Sequence, residues 1–166
     1  MPDGGGIIMT AALRRPELAG PVFGLESAAR LLADVLSPWA HELGLVIEKV
    51  EATRPAAAPE DWQPGAVLRL PFAARNCRDS GVVCAPALMA LADSAMMFAY
   101  AAAWNGYRPM TPIDQTTHFL RPASFDVLAD ARIVRVGRTT TFGRVALSSA
   151  TDRRPVGMVS TACAML

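Results

Sequence analysis

Few side chains in this sequence could do chemistry, and their setting is unusual. Asp93, with Ser94 beside it, sits in the middle of an otherwise apolar run from Pro86 to Trp104. An acid inside a buried helix is expensive to keep unless a neighbour neutralises it or a site uses it. Asp93 is therefore either a structural acid, satisfied by a hydroxyl or a subunit contact, or a functional one. Cys84 precedes the start of that run. A thiol at a helix N-terminus can become a reactive thiolate, but a small packed residue is the simpler reading. Asn76 and Arg78 lie in a polar turn upstream and either orient that segment or merely solvate it. Arg108, Arg121 and Arg138 fall near turns, where a guanidinium fork could meet a phosphate or only water. Met89, Met96 and Met97 recur at helical spacing, which suits a core or an adaptable pocket wall. His118 falls on a strand expected to run near the helix, as a structural partner or a catalytic group, and His41 receives no role.

Several function classes lack their signature. There is no GxGxxG after a strand, no Walker loop and no HExxH, and Ser94 has no flanking glycines to form a nucleophile elbow. At 166 residues, with 52% hydrophobic and 19% charged, the chain reads as one globular unit with a substantial core. A net charge of +1 gives no general attraction to nucleic acid or to a membrane surface. Cys77, Cys84 and Cys163 are an odd number without a CxxC pair. That argues against a disulfide framework or a zinc site and for a reducing cytoplasm. The run around Asp93 is about as long as a membrane span, but its central acid and the strand-like sequence after it favour a soluble core helix. The N-terminus lacks a signal pattern, and the first dozen residues, with Gly4-Gly5-Gly6, read as a loose leader.

Residues 1–23 show little periodicity. Helical spacing follows over 25–36, and Ser37-Pro38 starts a second short helix over 38–43 that ends at Gly44. Strands are expected over 45–53 and 66–73, with Pro71 marking an edge or an end. The central helix, 86–104, stops at Asn105-Gly106 and should be buried on every side, because apolar residues surround it. Four further strands follow at 111–119, 126–136, 139–149 and 156–165, with Gly137-Arg138 and 152–155 as turns. Strands with short links form an antiparallel sheet, and the apolar helix is what its hidden face would cover. The fold class is α+β: residues 1–44 are a leader and helical segment, and 45–166 are the sheet-and-helix domain.

Three segments together resemble a known family. Gly81…Leu91-Ala-Asp93-Ser-Ala-Met96, His118-Phe-Leu-Arg-Pro-Ala123 and Val136-Gly-Arg138 look like the hot-dog-fold acyl-CoA thioesterases of the phenylacetate-pathway (PaaI-like) type. The likeness covers roughly 45–166. It implies a curved antiparallel sheet wrapped around the long helix, subunits joined edge to edge as a homodimer or homotetramer, and active sites at the subunit interface.

The resemblance also implies roles. Asp93 falls on the acid that serves as general base or nucleophile against an acyl-CoA or aryl-CoA thioester. Ala85, eight residues earlier, falls on the backbone N–H that polarises the thioester carbonyl. Asn76 and Ser94 are possible helpers, and Gly81, Cys84, Met97, Arg121 and Arg138 are the substrate-side candidates. No metal or redox cofactor is implied; coenzyme A belongs to the substrate. The chain departs from the family's pattern in two places. Asn76-Cys-Arg78-Asp-Ser-Gly81 stands where His-x-Asn-x-x-Gly is usual, and Cys84-Ala85-Pro86 stands for His-Gly-Gly. Pro86 has no N–H, so this pair supplies one donor only. Phe98 occupies the place of the histidine that hydratases of this fold carry, which argues against enoyl-CoA hydration. The alternative is a hot-dog domain without catalysis, binding a CoA ester or lipid-like ligand or acting as an assembly partner.

Overall fold

The structure is a computed structural model that describes residues 21–166. The expected loose leader, and most of the unperiodic stretch over 1–23, lie outside the described residues. Two short helices come first, α1 (Leu25–Val35) and α2 (Pro38–His41). Strands β1 (Val46–Glu51) and β2 (Gly65–Leu70) follow, then the long helix α3 (Ala85–Trp104). Strands β3 (Met110–Phe119), β4 (Val127–Val136), β5 (Thr140–Ser149) and β6 (Pro155–Met165) complete the chain.

All strand pairs are antiparallel, in the order β1-β2-β4-β5-β6-β3. The expected strand limits move by at most three residues, and α2 is shorter than the 38–43 expected, because the chain turns at 42–44. Pro71 marks an end, not an edge: β2 stops at Leu70 and lies between β1 and β4. Strand β3 does not lie beside β4, its successor in the chain, but crosses to the far edge and pairs with β6.

Helix α3 forms because nothing in Ala85–Trp104 opposes it. The segment has no β-branched residue, its proline lies in the first turn, and alanine dominates. Asn105 ends it in the left-handed conformation at φ 55°, and the Gly106 N–H reaches back to the Ala101 carbonyl at 2.8 Å. The Asn105 side chain also accepts from the Phe23 N–H at 2.6 Å and donates to the Pro21 carbonyl at 3.2 Å. This ties the start of the described chain to the end of α3.

The sheet's inner face packs on the helix through Leu68 and Leu70 of β2, Val127 and Ile133 of β4, and Val145 and Leu147 of β5. Phe98 and Leu91 of α3 meet them, both fully buried. Each such side chain contributes about 1.5–3 kcal/mol by leaving water. Ala28 and Leu31 of α1 belong to the same core, so the N-terminal helical segment shares the domain's interior. Burial on every side of α3 does not hold. Pro86, Met89 and Asp93 are exposed, and Ala90 and Met97 are half-buried, all on one stripe at helical spacing. Apolar periodicity alone does not separate a core face from an open one.

Candidate functional site

The open stripe of α3 leads to two depressions, one at its start and one at its middle. The first is shaped by the approach to the helix. Gly81, at φ +73°, closes a turn in which its N–H meets the Arg78 carbonyl at 2.9 Å; that conformation favours glycine. The Ser124 hydroxyl donates to the Gly81 carbonyl at 3.0 Å, and the Val83 N–H to the Ala123 carbonyl at 2.9 Å. These bonds hold the β3–β4 link alongside residues 78–84. Between them lies a cleft of about 390 Å³, with Arg78 and Arg121 on its sides, Phe119 and Leu120 exposed at its wall, and Ala85 and Leu88 from α3. Among the described residues the Ala85 N–H has no partner. It is a first-turn donor, at the positive end of a 20-residue helix.

The second depression adjoins Asp93. It is a cavity of about 120 Å³ lined by Asp93, Met96, Met97 and Tyr100 of α3, Tyr107 of the following loop, Met110 and Pro112 of β3, and Cys163 of β6. Positions 93, 96, 97 and 100 share one helix face. Asp93 is open to solvent on one side, which corrects the expectation of a fully buried acid. Protein packed around its other sides still desolvates the carboxyl and pushes its pKa above the ordinary aspartate range. Burial pushes the Tyr100 hydroxyl far up, with Cys163 adding to the effect, so Tyr100 stays a neutral donor, to the Thr141 carbonyl at 3.4 Å.

The other sequence candidates divide between these places and elsewhere. Arg121 and Gly81 lie at the cleft, and Met97 lines the cavity. Cys84 is the residue that caps α3, half-buried, with no side-chain capping bond. Asn76 is buried, and its amide donates to the Leu43 carbonyl at 3.4 Å, an anchor for the turn after α2. Ser94 is buried, about 100° around the helix from Asp93, so the two side chains do not face each other. Arg138 sits exposed in the β4–β5 turn, and Arg108 stacks on the Trp104 ring at 3.9 Å. His118 is exposed and pairs in register with exposed Met158, on the face of the sheet turned away from α3.

Sequence reasoning missed Tyr100, Tyr107, Met110, Pro112 and Cys163. Tyr100 was accessible to it as the residue seven after Asp93, but Cys163 comes from a strand seventy positions on and carries no local signal. A third depression, lined by Lys49, Asp61, Trp62 and Arg144 among others, is occupied by a paired network. There Arg132 bridges Glu51 at 2.6 Å and Asp130 at 2.5 Å, and Lys49 bridges Glu51 at 2.7 Å. Among the described residues no three His, Cys, Asp or Glu side chains gather as a metal cage would require.

A six-stranded antiparallel sheet around one long helix is the hot-dog arrangement. Residues 80–156 match the thioesterase superfamily model, and the chain shares the hot-dog fold of solved thioesterase-family structures. The PaaI protein of the E. coli phenylacetic acid degradation operon has the same fold, with 18% identity and a TM-score of 0.68 over 85% of this chain and 91% of that one. A mutant of the phenylacetic acid degradation protein PaaI from Thermus thermophilus is 24% identical, with a TM-score of 0.61, over 78% of this chain and 100% of that one. A thioesterase family protein from Silicibacter pomeroyi is 19% identical, with a TM-score of 0.67, over 85% and 96%. No curated protein matches the sequence. Helix α3 is the one described helix long and apolar enough to cross a membrane, and it is mostly buried in this fold.

Proposed function

We propose that the protein hydrolyses acyl-CoA or aryl-CoA thioesters, releasing a free acid and coenzyme A, at sites built from two copies of the chain. The observation that carries this reading is the pairing of an unpartnered Ala85 N–H with the open carboxylate of Asp93 on one helix. The N–H is a ready donor to a carbonyl oxygen that gains negative charge in the transition state. The carboxylate can take a proton from water as that water attacks the carbonyl carbon, or attack directly. In the first course the C–S bond of the tetrahedral adduct then breaks, and the departing thiolate takes up a proton; in the second the thiolate leaves likewise, and water hydrolyses the acyl–Asp93 anhydride to the free acid.

Within one chain these groups cannot serve one carbonyl. Eight residues of helix separate them, a rise of about 12 Å, and the cleft at Ala85 and the cavity at Asp93 share no lining residue. Two copies facing each other with their α3 helices antiparallel would set the Ala85 N–H of each against the Asp93 of the other. The exposed apolar residues on the stripe and on edge strand β3 (Met89, Ile113, Phe119) support such an assembly, a homodimer or a homotetramer of dimers. Arg78 and Arg121, flanking the cleft, suit the phosphates of coenzyme A. Coenzyme A enters as part of the substrate, and the proposal assigns no metal, redox group, nucleic acid or membrane partner. A reducing cytoplasmic setting follows from the cysteine usage.

The test is thiol release from a panel of acyl-CoAs by the parent and by Asp93→Asn. Hydrolysis that falls at least about a hundredfold in the variant supports the proposal. Equal background in both, with CoA-ester binding retained in calorimetry, would favour a binding module. That reading draws on the replaced His, Asn and glycines around Asn76, Arg78, Cys84 and Pro86.

A further inference from the structure

We propose that Gly143 of β5 sets the size of the acyl group admitted beside Asp93, acting as a positioning residue through Met96. The inference takes from the proposed function only that this cavity receives an acyl group. Exposure separates the cavity's rim from its floor. Asp93, Tyr107 and Pro112 are open, while Met96, Tyr100 and Cys163 are closed. Two of the floor groups are fixed: Tyr100 by its bond to Thr141, and Cys163 by its place in β6.

Met96 differs in kind. Its unbranched thioether has three rotatable bonds and fills whatever space it is given. That space is supplied by Gly143. The inward positions of β5 run Thr141, Gly143, Val145, Leu147, and only the glycine lacks a side chain. A Cβ at Gly143 would stand 2.1 Å from the Met96 Cε and 2.8 Å from its Sδ. The next nearest atom, the Arg132 carbonyl oxygen, would be at 3.3 Å, a tight contact but a bearable one. Met96 thus lies back over the glycine, and the cavity keeps about 120 Å³. An apolar cavity of about 150 Å³ admits benzene. A short or compact acyl group fits with Met96 where it lies, and a longer chain runs into the thioether.

The experiment measures kcat/KM for acetyl-, butyryl-, hexanoyl- and octanoyl-CoA in the parent, Gly143→Ala, Met96→Ala and the double variant. One methylene in a close-fitting pocket changes selectivity by about tenfold or more. Gly143→Ala drives the thioether into the cavity, so its hexanoyl-to-acetyl ratio falls at least about tenfold. Met96→Ala removes the wall, so its octanoyl-to-acetyl ratio rises by a similar factor. The double variant keeps the Met96→Ala ratios, because the added methyl no longer has a thioether to displace. Each ratio compares two substrates on one protein, so a general loss of folded enzyme cancels. Should Gly143→Ala not fold, Met96→Ala and Met96→Leu still move the wall and carry the test. Length ratios within about twofold of the parent in every folded variant overturn the inference. If the parent binds these esters without hydrolysing them, the same ratios are read as Kd by calorimetry. The hydrolase reading then falls, and the size-setting role stands or falls on the shift alone. If no ester is hydrolysed or bound, both fall.

Discussion

Replacing Ala85 by proline removes a single backbone N–H at the place where it is expected to act. Elsewhere in a helix this change would be disruptive, but position 85 is the first residue of α3, where proline is favoured and the lost N–H breaks no helical bond. The residue before it, Cys84, already has φ −74° and ψ 151°, the extended conformation that precedes proline. The fold should therefore change in stability by no more than about 1 kcal/mol. Catalysis should suffer far more. Loss of one oxyanion donor lowers kcat by about a hundred- to a thousandfold, roughly 2.7–4 kcal/mol of transition-state stabilisation, and Pro86 offers no second donor. The assay is steady-state thiol release, with thermal denaturation in parallel and Ala85→Gly as the control that retains the N–H. The expected result is a large fall in kcat for the proline variant, a parent-like melt, and activity kept in the glycine variant. A proline variant within about threefold of the parent kcat would remove Ala85 from the mechanism.

Further consequences follow from the same geometry. Burial raises the Asp93 pKa, so its stability contribution is full below the unfolded aspartate value and is lost as pH rises through the folded one. Asp93→Asn should therefore melt at a higher temperature than the parent at neutral pH, and the gain should vanish below the ordinary aspartate range. The parent's kcat/KM should rise with an apparent pKa above that range, since the ionised form is the active one. Asn105→Ala places a β-carbon in the left-handed region and removes both bonds to residues 21–23; denaturant titration should show a loss of about 2–3 kcal/mol. Burial alone would raise the Glu51 carboxyl, but Lys49 and Arg132 outweigh it and hold it below its usual value. Arg132→Ala leaves that carboxylate with its exposed lysine alone and should cost about 1–3 kcal/mol in the same titration.

Much of the fold was legible because its signals are local. Strand-forming residues between turn signals marked all six strands, and an uninterrupted run of helix formers with Asn105-Gly106 after it marked α3 to within a residue. The position of β3 was not legible. Pairing with β6 rather than β4 depends on where the link after Phe119 can pass, and that path is held by bonds such as Val83 to Ala123, between distant residues. At the site, Asp93 stands out by its type and its apolar setting, and Ala85 only through the family resemblance; the openness of Asp93 does not show. An apolar stripe open to solvent reads in sequence like one that faces a core. Asn76 shows the converse case. It is a polar residue in a turn that reads as available for chemistry, and it turns inward to hold the Leu43 carbonyl. Cys163 and Met110 reach the cavity only because β6 and β3 pair along the sheet edge.

The most direct test of the two-copy site is complementation. Asp93→Asn and Ala85→Pro proteins, each nearly inactive alone, are unfolded together, refolded at equal concentrations and assayed for thiol release. In a mixed pair one of the two sites unites the intact Ala85 N–H of one copy with the intact Asp93 of the other. Random pairing then restores roughly a quarter of the parent activity. A mixture no more active than its separate components, with mixed pairs demonstrated by mass spectrometry, would contradict a site shared between two helices.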